Sequence, residues 1–436
     1  MLSDIAFAIA RRGDSVCVIT SRQRYDAPDA DLPTRDTVGG VSIHRIVTTR
    51  FGRNASLGRA IDYLTFYVGA AWTLWRMAGE GDIVVAKTDP PLLCVVVGPI
   101  VRLRRALLVN WLQDIFPEVA EATGFARNRP MRAAFRVLGS LRSRSLKRAA
   151  ANVVIGERMA ARLEALSVDR SRISLIPNWT DGSAIRPVDP AENSLRAAWK
   201  LAGKFVVGYS GNLGRAHDYS TFLDAIELLE EANPGRQEPH PDIVWLFIGG
   251  GASFRALEAE ASRRGLTSVQ FRGYQPRERL AESLSAADMH LISLSPELEG
   301  LIVPSKYYGI AAAGRPAIFV GNANGEIAQL LAKTGSGYTV TPGQGAALAQ
   351  LIARLAGDPE SVRAMGRNAR AAFDENYDLR RAVASWEALF DQIAKEAALP
   401  VRAKRRSGIA PIQRVPVDTP ENWPTQVSKI DPTKPI

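Results

Sequence analysis

Short apolar runs alternate with longer helical segments through the second half of the 436-residue sequence, and this alternation limits the folds open to the chain. The runs are KFVVGYS (204–210), IVWLFIGG (243–250), SVQFRGY (268–274), DMHLISL (288–294), PAIFVG (316–321) and GYTVT (337–341). Most of their residues are apolar, as in parallel strands that helices cover on both faces. The pattern therefore predicts βαβ units and a parallel sheet.

The first half shows a less regular form of the same alternation. Its strand-like runs are SVCVIT (15–20), VSIHRIV (41–47), DIVVAK (82–87), ALLVNWL (106–112) and ANVVIG (151–156). A stretch rich in Pro, Asn, Asp and Ser at 174–194 separates the halves and is typical of a linker. We therefore predict two α/β domains at 1–180 and 181–375, a helix at 376–399, and a disordered, Pro-rich basic tail at 400–436.

The chain opens on a helical pattern at 2–12 and reaches its first strand only afterwards. A doubly wound domain usually opens with a strand and a glycine-rich turn. We therefore expect the first domain to lack that strand, either because Met1 is an internal start or because the fold dispenses with the element.

Positive charge is concentrated in one segment of a chain whose net charge is +10. The segment 122–156 has no acidic residue and eight basic ones: Arg127, Arg129, Arg132, Arg136, Arg142, Arg144, Lys147 and Arg148. Such a segment fits nucleic acid, an anionic membrane surface or plain solvent. Aromatic residues along 63–75 slightly favour a membrane, although their spacing also suits a core helix. The longest uncharged runs, of about a dozen residues, are shorter than the roughly 20 that a membrane-spanning helix needs.

Two candidate sites follow strands of the second half. In GYSGNLGRAHDYS a strand is expected to end at Ser210, and a turn with Gly211, Asn212 and Gly214 leads past Arg215 into a helix. Glycines allow a ligand to approach the backbone, and a helix N-terminus favours an anion. The three glycines of IGGGASFRALEAEA (248–261) do not match a dinucleotide fingerprint and predict a tight turn beneath the same cleft.

The second candidate is EGLIVPSKYYGIAAAGRP (299–316), in which Ser305 is the expected N-cap of a short helix and Lys306 its first residue. A cation there opposes the helix dipole unless an anion binds beside it. Arg215 and Lys306 at one sheet edge would form a clamp for a diphosphate. The alternative is an exposed lysine whose chain lies over apolar surface.

Polar residues also follow two strands of the first half. They are Gln113, Asp114 and Glu118 after one strand, and Lys87, Thr88 and Asp89 after another. A carboxylate at this edge could orient a hydroxyl acceptor. Asp89 fits equally well as the N-cap of a helix with Pro90 at its first position.

Four segments together resemble retaining glycosyltransferases of family 4, which have the GT-B fold of two Rossmann-like domains facing across a cleft. They are GNLGRAHDYSTFLDAI, WLFIGGGASFRALEAEA, VQFRGYQPRERLAESLSAADMHLISL and EGLIVPSKYYGIAAAGRPAIF. VVAKTDPPLL, NWLQDIFPE and IPNWTD in the first half are similar to the bacterial surface-polysaccharide branch, which includes the WbuB and colanic-acid transferases. The resemblance covers roughly residues 2–396.

The resemblance implies a nucleotide-diphospho-sugar donor in the second domain, an acceptor in the first, and no metal or other cofactor. Arg215 and Lys306 would hold the diphosphate, with the turn from Gly211 through Asn212 to Gly214, and Ser305, close to it. Glu299 would bind the donor sugar, Gly273 and Tyr274 would meet the base, and Asp114 would face the acceptor. The helix at 376–396 would cross back onto the first domain.

The sequence departs from the family pattern at two points of the donor site. Tyr307, Tyr308 and Gly309 stand where a ribose-binding glutamate is expected, so Glu326 is the candidate substitute. His217, Asp218 and Tyr219 follow Arg215 where the family has a lysine, which leaves more of the phosphate binding to Lys306.

These observations lead to one main hypothesis and three alternatives. The main hypothesis is a transferase of hexosyl or N-acetylhexosaminyl groups, with a UDP-linked donor and a lipid-linked or saccharide acceptor. It would act in polysaccharide biosynthesis in the cytoplasm or at the inner membrane face. The alternatives are a nucleotide-sugar epimerase, a non-catalytic sugar-nucleotide-binding protein and, with no recognised module to support it, a nucleic-acid binder.

Overall fold

A computed structural model describes residues 1–23, 32–49, 51, 56–125, 128–232 and 242–397. The predicted disordered tail at 400–436 lies outside these residues, as do the last two residues of the predicted helix at 376–399.

The first half contains two sheets and six helices among its described residues. The strands are β1 (Val16–Ser21), β2 (Arg35–Val38), β3 (Val41–Ile46), β4 (Ile83–Lys87), β5 (Leu107–Trp111), β6 (Ala151–Val154) and β7 (Ile173–Leu175). The helices are α1 (Leu2–Arg11), α2 (Ser56–Met77), α3 (Leu93–Leu103), α4 (Glu118–Ala122), α5 (Arg129–Arg148) and α6 (Glu157–Ala165). β4, β5, β6 and β7 pair in parallel and in that order, while β3 pairs in parallel with β1 and antiparallel with β2.

The chain opens on α1, as predicted, and no strand among the described residues joins β1 to β4. Sequence reasoning missed β2 and β7. β2 reads RDTV, is largely exposed and lies at a sheet edge, so it carries no apolar run. β7 has only three residues and lies at the start of the stretch that was assigned to the linker.

The second half holds one parallel sheet of six strands. These are β8 (Phe205–Asn212), β9 (Ile243–Gly250), β10 (Val269–Arg272), β11 (Met289–Ser293), β12 (Ala317–Val320) and β13 (Gly337–Val340). The order is β10-β9-β8-β11-β12-β13, so the chain runs outward in one direction from β8 and in the other from β11. In open α/β sheets, ligands bind beyond the carboxyl ends of the two strands at which this direction reverses.

Helices cover both faces of this sheet. They are α7 (Ser194–Ala198), α8 (Ser220–Ala232), α9 (Phe254–Arg263), α10 (Leu280–Ser285), α11 (Lys306–Ala312), α12 (Glu326–Thr334), α13 (Gly345–Ala356) and α14 (Pro359–Asn376). α15 (Leu379–Glu396) then packs on the first half, where the ring of Trp386 lies 4.9 Å from that of Trp111. Trp179 stacks on Trp111 at 5.7 Å, so an aromatic cluster fixes α15 in place.

The two halves also meet directly at the carboxyl ends of their sheets. The Ile115 amide, after β5, donates to the Leu301 carbonyl at 3.0 Å, and Asp114 forms an isolated bridge with Ile302. Ile115, Leu298 and Leu301 are buried in one hydrophobic cluster. The loop after β5 and the loop after β11 are therefore joined by both backbone pairing and apolar packing.

Candidate active site between the two halves

The end of β8 forms the floor of the site. The strand runs to Asn212, two residues further than its apolar pattern predicts, because Gly211 and Asn212 pair with Gly249 and Gly250 of β9. The Leu213 amide then donates to the Gly250 carbonyl at 2.7 Å. The glycine run of β9 thus lies beside the turn after β8, but Gly249 and Gly250 continue the strand where the sequence predicted a tight turn.

Gly249→Ala is expected to lower the free energy of unfolding by about 2–4 kcal/mol. Gly249 has a φ of +136°, and a Cβ there would collide with the Gly211 carbonyl oxygen. Gly203→Ala is the matched control, since Gly203 has a φ of +73° with no heavy atom within 4 Å of its Cβ position. Urea denaturation should show a loss of only about 1 kcal/mol for the control, and equal losses would contradict the role of Gly249.

The amine of Lys306 lies over this turn. Its Nζ donates to the Asn212 carbonyl at 2.8 Å and lies 4.9 Å from the centre of the Tyr209 ring. A Cβ on Gly211 would lie 3.3 Å from Lys306 Cε, so the glycine leaves the lysine room to cross the strand end. Burial lowers the pKa of Lys306 to about 8. The site therefore holds a partly buried amine at the point where the sheet order reverses.

His217 is a neighbour of Lys306 that sequence reasoning did not assign to the site. Its Nδ1 lies 2.7 Å from the Ser293 carbonyl, so Nδ1 carries the proton, and Nε2 faces Lys306 Nζ at 3.4 Å. Burial, together with the charge of Lys306, lowers the pKa of His217 to about 4. The ring is thus a neutral acceptor that helps to orient the lysine. Its position two residues after Arg215 was the available signal, but that residue was interpreted only as a departure from the family.

Arg215 extends from the same turn toward the first half. Its side chain is exposed, and its Cζ lies 5.9 Å from the centre of the Phe125 ring, on the opposite side of the cleft. The sequence placed a helix N-terminus close behind Arg215, but α8 begins only at Ser220. Asp218 caps it, because the Asp218 carboxylate accepts from the Ser220 amide at 2.8 Å. That helix end is therefore already occupied by a carboxylate.

Ser305 and Gly309 flank Lys306 along the chain. Ser305 occupies the N-cap position of α11 but makes no side-chain cap hydrogen bond, contrary to the expected capping role. Gly309 lies within α11, and a Cβ there would be 3.4 Å from a methyl group of Leu284. The predicted base contacts lie after β10, where Tyr274 is 63% exposed and its ring approaches the Cβ position of Gly250 at 3.1 Å.

Glu299 and Glu326 form a chain of contacts between the two halves. Glu299 accepts from the Glu326 amide at 2.8 Å, and Glu326 accepts from the Arg158 amide of α6 at 2.9 Å. Burial raises the pKa of Glu299. Glu299, Arg158 and Arg162 line a cavity of about 360 Å³. Glu326 therefore links the two halves in this conformation, and Glu299 holds Glu326. The predicted donor contacts of both glutamates stay predictions.

Asp114 stands at the junction of the two halves. Its Oδ1 is buried without a hydrogen-bond partner, and burial raises its pKa to about 6. A hydrogen bond from Thr88 acts in the opposite direction. The N-cap alternative for Asp89 is wrong, because α3 begins at Leu93 with Leu92 as its N-cap. A buried carboxylate oxygen without a partner would gain from any hydrogen bond that a ligand donates to it.

Comparison with known families decides what kind of protein this arrangement belongs to. Residues 1–179 match the model of the "Glycosyl transferase 4-like domain", and residues 192–372 match that of "Glycosyl transferases group 1". The chain belongs to the family 4 glycosyltransferases. The resemblance that the sequence motifs indicated is thereby confirmed, and it extends over both halves.

Two bacterial proteins are similar to this glycosyltransferase in sequence. The probable glycosyltransferase WbjE of Pseudomonas aeruginosa is 28% identical over 331 residues, which are 75% of this chain and 79% of WbjE. The putative colanic acid biosynthesis glycosyl transferase WcaI of Escherichia coli K12 is 28% identical over 165 residues, or 37% of this chain and 38% of WcaI.

Two solved structures share its fold. Sucrose-phosphate synthase from Thermosynechococcus elongatus aligns with a TM-score of 0.70 at 19% identity, over 91% of this chain and 93% of its own. HepE from Anabaena, in complex with UDP-glucose, aligns with a TM-score of 0.63 at 18% identity, over 91% of this chain and 94% of its own. These similarities confirm the predicted GT-B fold.

Among the residues that the structure describes, none of the helices has the length and apolar character that a membrane span requires.

The kcat/KM of this glycosyltransferase is expected to be highest between about pH 6 and about pH 8. As pH falls through about 6, Asp114 gains a proton, loses its negative charge and becomes a weaker hydrogen-bond acceptor. As pH rises through about 8, Lys306 loses its charge. A profile of kcat/KM reports ionisations of the free enzyme, so both limbs should appear. An acid limb that persists unchanged in Asp114→Asn would show that another group causes it.

Proposed function

We propose that this glycosyltransferase transfers a hexosyl or N-acetylhexosaminyl group from a nucleotide-diphospho-sugar to a lipid-linked or saccharide acceptor, with retention of configuration. The observation that carries the proposal is the amine of Lys306, which lies over the glycine turn at the end of β8. A donor diphosphate placed there would meet a positive charge where the sheet order reverses.

The proposed role of Lys306 follows from the charge that develops in the reaction. When the bond between the sugar and the diphosphate breaks, negative charge grows on the departing phosphate oxygen. A fixed, partly desolvated cation stabilises that charge more strongly than water does, because it needs no reorganisation. Arg215 would add a forked donor from the rim of the cleft, so two cations supply what a metal ion would otherwise provide.

The acceptor side of the proposal rests on Asp114. Its unpaired Oδ1 can accept a hydrogen bond from an acceptor hydroxyl, and its pKa of about 6 leaves it mostly ionised at neutral pH. UDP is proposed as the donor nucleotide because HepE, which shares the fold, is described in complex with UDP-glucose. The name of WcaI, a putative colanic acid biosynthesis glycosyl transferase, supports a place in polysaccharide biosynthesis. We propose that this protein acts there at the cytoplasmic face of the membrane.

A panel of nucleotide sugars tests the proposal. Thermal shift first identifies donors that stabilise the full chain, since a ligand that binds only the folded state raises its melting temperature. The selected donor is then incubated with lipid-linked and free saccharide acceptors, and NMR of the product gives the anomeric configuration. Sugar transfer with retention is the expected result. Conversion of the donor without any acceptor would indicate an epimerase, and stabilisation by a donor that every acceptor fails to consume would indicate a binding protein.

A further inference from the structure

Helices α2, α3 and α5 lie side by side in the first half, with α3 packed against β4 and β5 and α2 packed against β1 and β3. Leu74 of α2 and Val97 of α3 are buried in the same hydrophobic cluster, together with Leu108 of β5. On the other side of α3, the Ser145 hydroxyl of α5 donates to the Cys94 carbonyl at 3.1 Å. α3 therefore lies between α2 and α5, and the outer surfaces of the three helices face away from the two sheets.

The outer surface of α2 carries an apolar stripe. Leu64, Val68, Trp72 and Trp75 follow one another at spacings of four, four and three residues, so they lie on one face of the helix. They are 60%, 63%, 61% and 43% exposed. We call these four residues the α2 stripe. Contiguous apolar surface of this kind marks an interaction site in most proteins, because water disfavours it.

Two arginines lie over rings of the α2 stripe, and further exposed basic residues follow on α3 and α5. The guanidinium of Arg76 lies 5.9 Å from the centre of the Trp72 ring, and that of Arg104 lies 5.6 Å from the Trp75 ring. Arg102 and Arg105 at the end of α3 are exposed, beside Leu103, which is 70% exposed. In the same group of helices, α5 carries six exposed basic residues: Arg129, Arg132, Arg136, Arg144, Lys147 and Arg148.

We propose that the α2 stripe and its arginines dock this protein on a membrane surface that contains anionic lipid. Tryptophan side chains are favoured at the level of the headgroups, where an apolar ring meets water, and arginine side chains bind the phosphates above them. A helix with one apolar face and basic residues beside it lies in the plane of the interface. The 22-residue α2, with its stripe on one side only, has this form.

The positive charge of these helices favours an anionic membrane, rather than a second copy of the chain, as the partner of the α2 stripe. A symmetric dimer through the α2 stripe would place the arginines of one copy against those of the other. Glu80, which pairs with Arg105 at 3.7 Å, is one acidic residue near the stripe, against many basic ones. The repulsion that disfavours a dimer becomes attraction when the facing surface is anionic.

α2 also connects the docking surface to the cleft. On the flank of α2 beside the α2 stripe, the Tyr67 hydroxyl donates to the Pro91 carbonyl, in the loop after β4. In that loop Thr88 accepts from the Gln113 amide at 3.0 Å, next to Asp114. If the proposed function holds, a docked α2 would place the acceptor side of the cleft at the membrane surface, where a lipid-linked acceptor is held.

Co-sedimentation of the full chain with vesicles tests the docking surface. We expect binding to vesicles with about 30% anionic lipid and weak binding to neutral ones. Trp72→Ser/Trp75→Ser should weaken binding to the anionic vesicles by at least about tenfold. Arg102→Ser and Arg105→Ser should each weaken it by about fivefold at low salt. The control is Leu228→Ser/Tyr338→Ser, which removes apolar side chains of the second half that are 40% and 38% exposed.

Two results would overturn the proposal. The first is a tryptophan variant that binds anionic vesicles as tightly as the unaltered chain. The second is an unaltered chain that binds no anionic vesicles, whether or not sedimentation velocity shows that it self-associates through the α2 stripe. Circular dichroism checks that each variant is folded. Because vesicle binding is measured without donor or acceptor, a chain that binds vesicles but transfers no sugar would contradict the proposed function alone.

Discussion

Lys306→Met is expected to lower kcat/KM by about 10²–10³-fold while leaving the fold intact. Methionine keeps the length and apolar character of the side chain but removes the charge that would stabilise the departing diphosphate. Burial lowers the pKa of Lys306 to about 8. Below that pH the amine is charged in the folded protein, and keeping this charge buried lowers the free energy of unfolding. The melting temperature at pH 7 should therefore stay the same or rise as activity falls, and this opposition distinguishes a functional lysine from a structural one.

Lys333→Met is the matched control for this variant. Lys333 is an exposed lysine in the last turn of α12, in the same half of the molecule. Its replacement should leave steady-state kinetics unchanged. If Lys306→Met retained the kcat/KM of the unaltered enzyme, the amine would have no part in the reaction, and its contacts with Asn212 and His217 would be structural only.

Arg215→Ala is expected to lower kcat/KM by about 10–100-fold, with little change in melting temperature. The side chain is exposed, so its removal leaves no buried cavity. Arg215→Lys should recover only part of the activity, because an ammonium cannot make the paired hydrogen bonds of a guanidinium with a phosphate. Steady-state kinetics with a saturating acceptor would measure both effects.

Two further variants define what Arg215 contacts. Phe125→Ala removes the ring that lies beneath the guanidinium, and it should cause a smaller loss than Arg215→Ala if the arginine acts on the donor. Arg255→Ala, an exposed arginine of α9 in the same half, should leave the rates unchanged. Equal losses for Phe125→Ala and Arg215→Ala would instead assign the arginine to contact between the halves.

Most strands of the two parallel sheets were predictable because they carry apolar runs, whereas the three-residue β7 was missed. β8 is the clear case, where an apolar run located the strand to within two residues of its end. Helix starts were less predictable. α3 begins at Leu93 after Leu92, which has a φ of +62°, so local capping chemistry at Asp89 pointed to the wrong residue.

One feature of the candidate site, the proximity of Lys306 to the turn at Gly211, was predictable from the strand order. Lys306 and the turn at Gly211 had to lie close together, since they follow the two central strands of one sheet. The position of His217 two residues after Arg215 was a signal for the site, but its orientation depends on the Ser293 carbonyl, 76 residues away, and was not predictable. The contacts of Glu326 depend on the Arg158 amide in the other half, and no local pattern contains that information.

The central claim is that Lys306 holds the diphosphate of the donor, and calorimetric binding of free nucleotides tests it most directly. Nucleoside diphosphates and the matching monophosphates of uridine, guanosine and thymidine would be titrated into the unaltered protein and into Lys306→Met. We expect one diphosphate to bind the unaltered protein about 10–100-fold more tightly than its monophosphate, and the variant to lose that difference. If the preference for the diphosphate persisted in the variant, the assignment of the diphosphate site to Lys306 would be wrong.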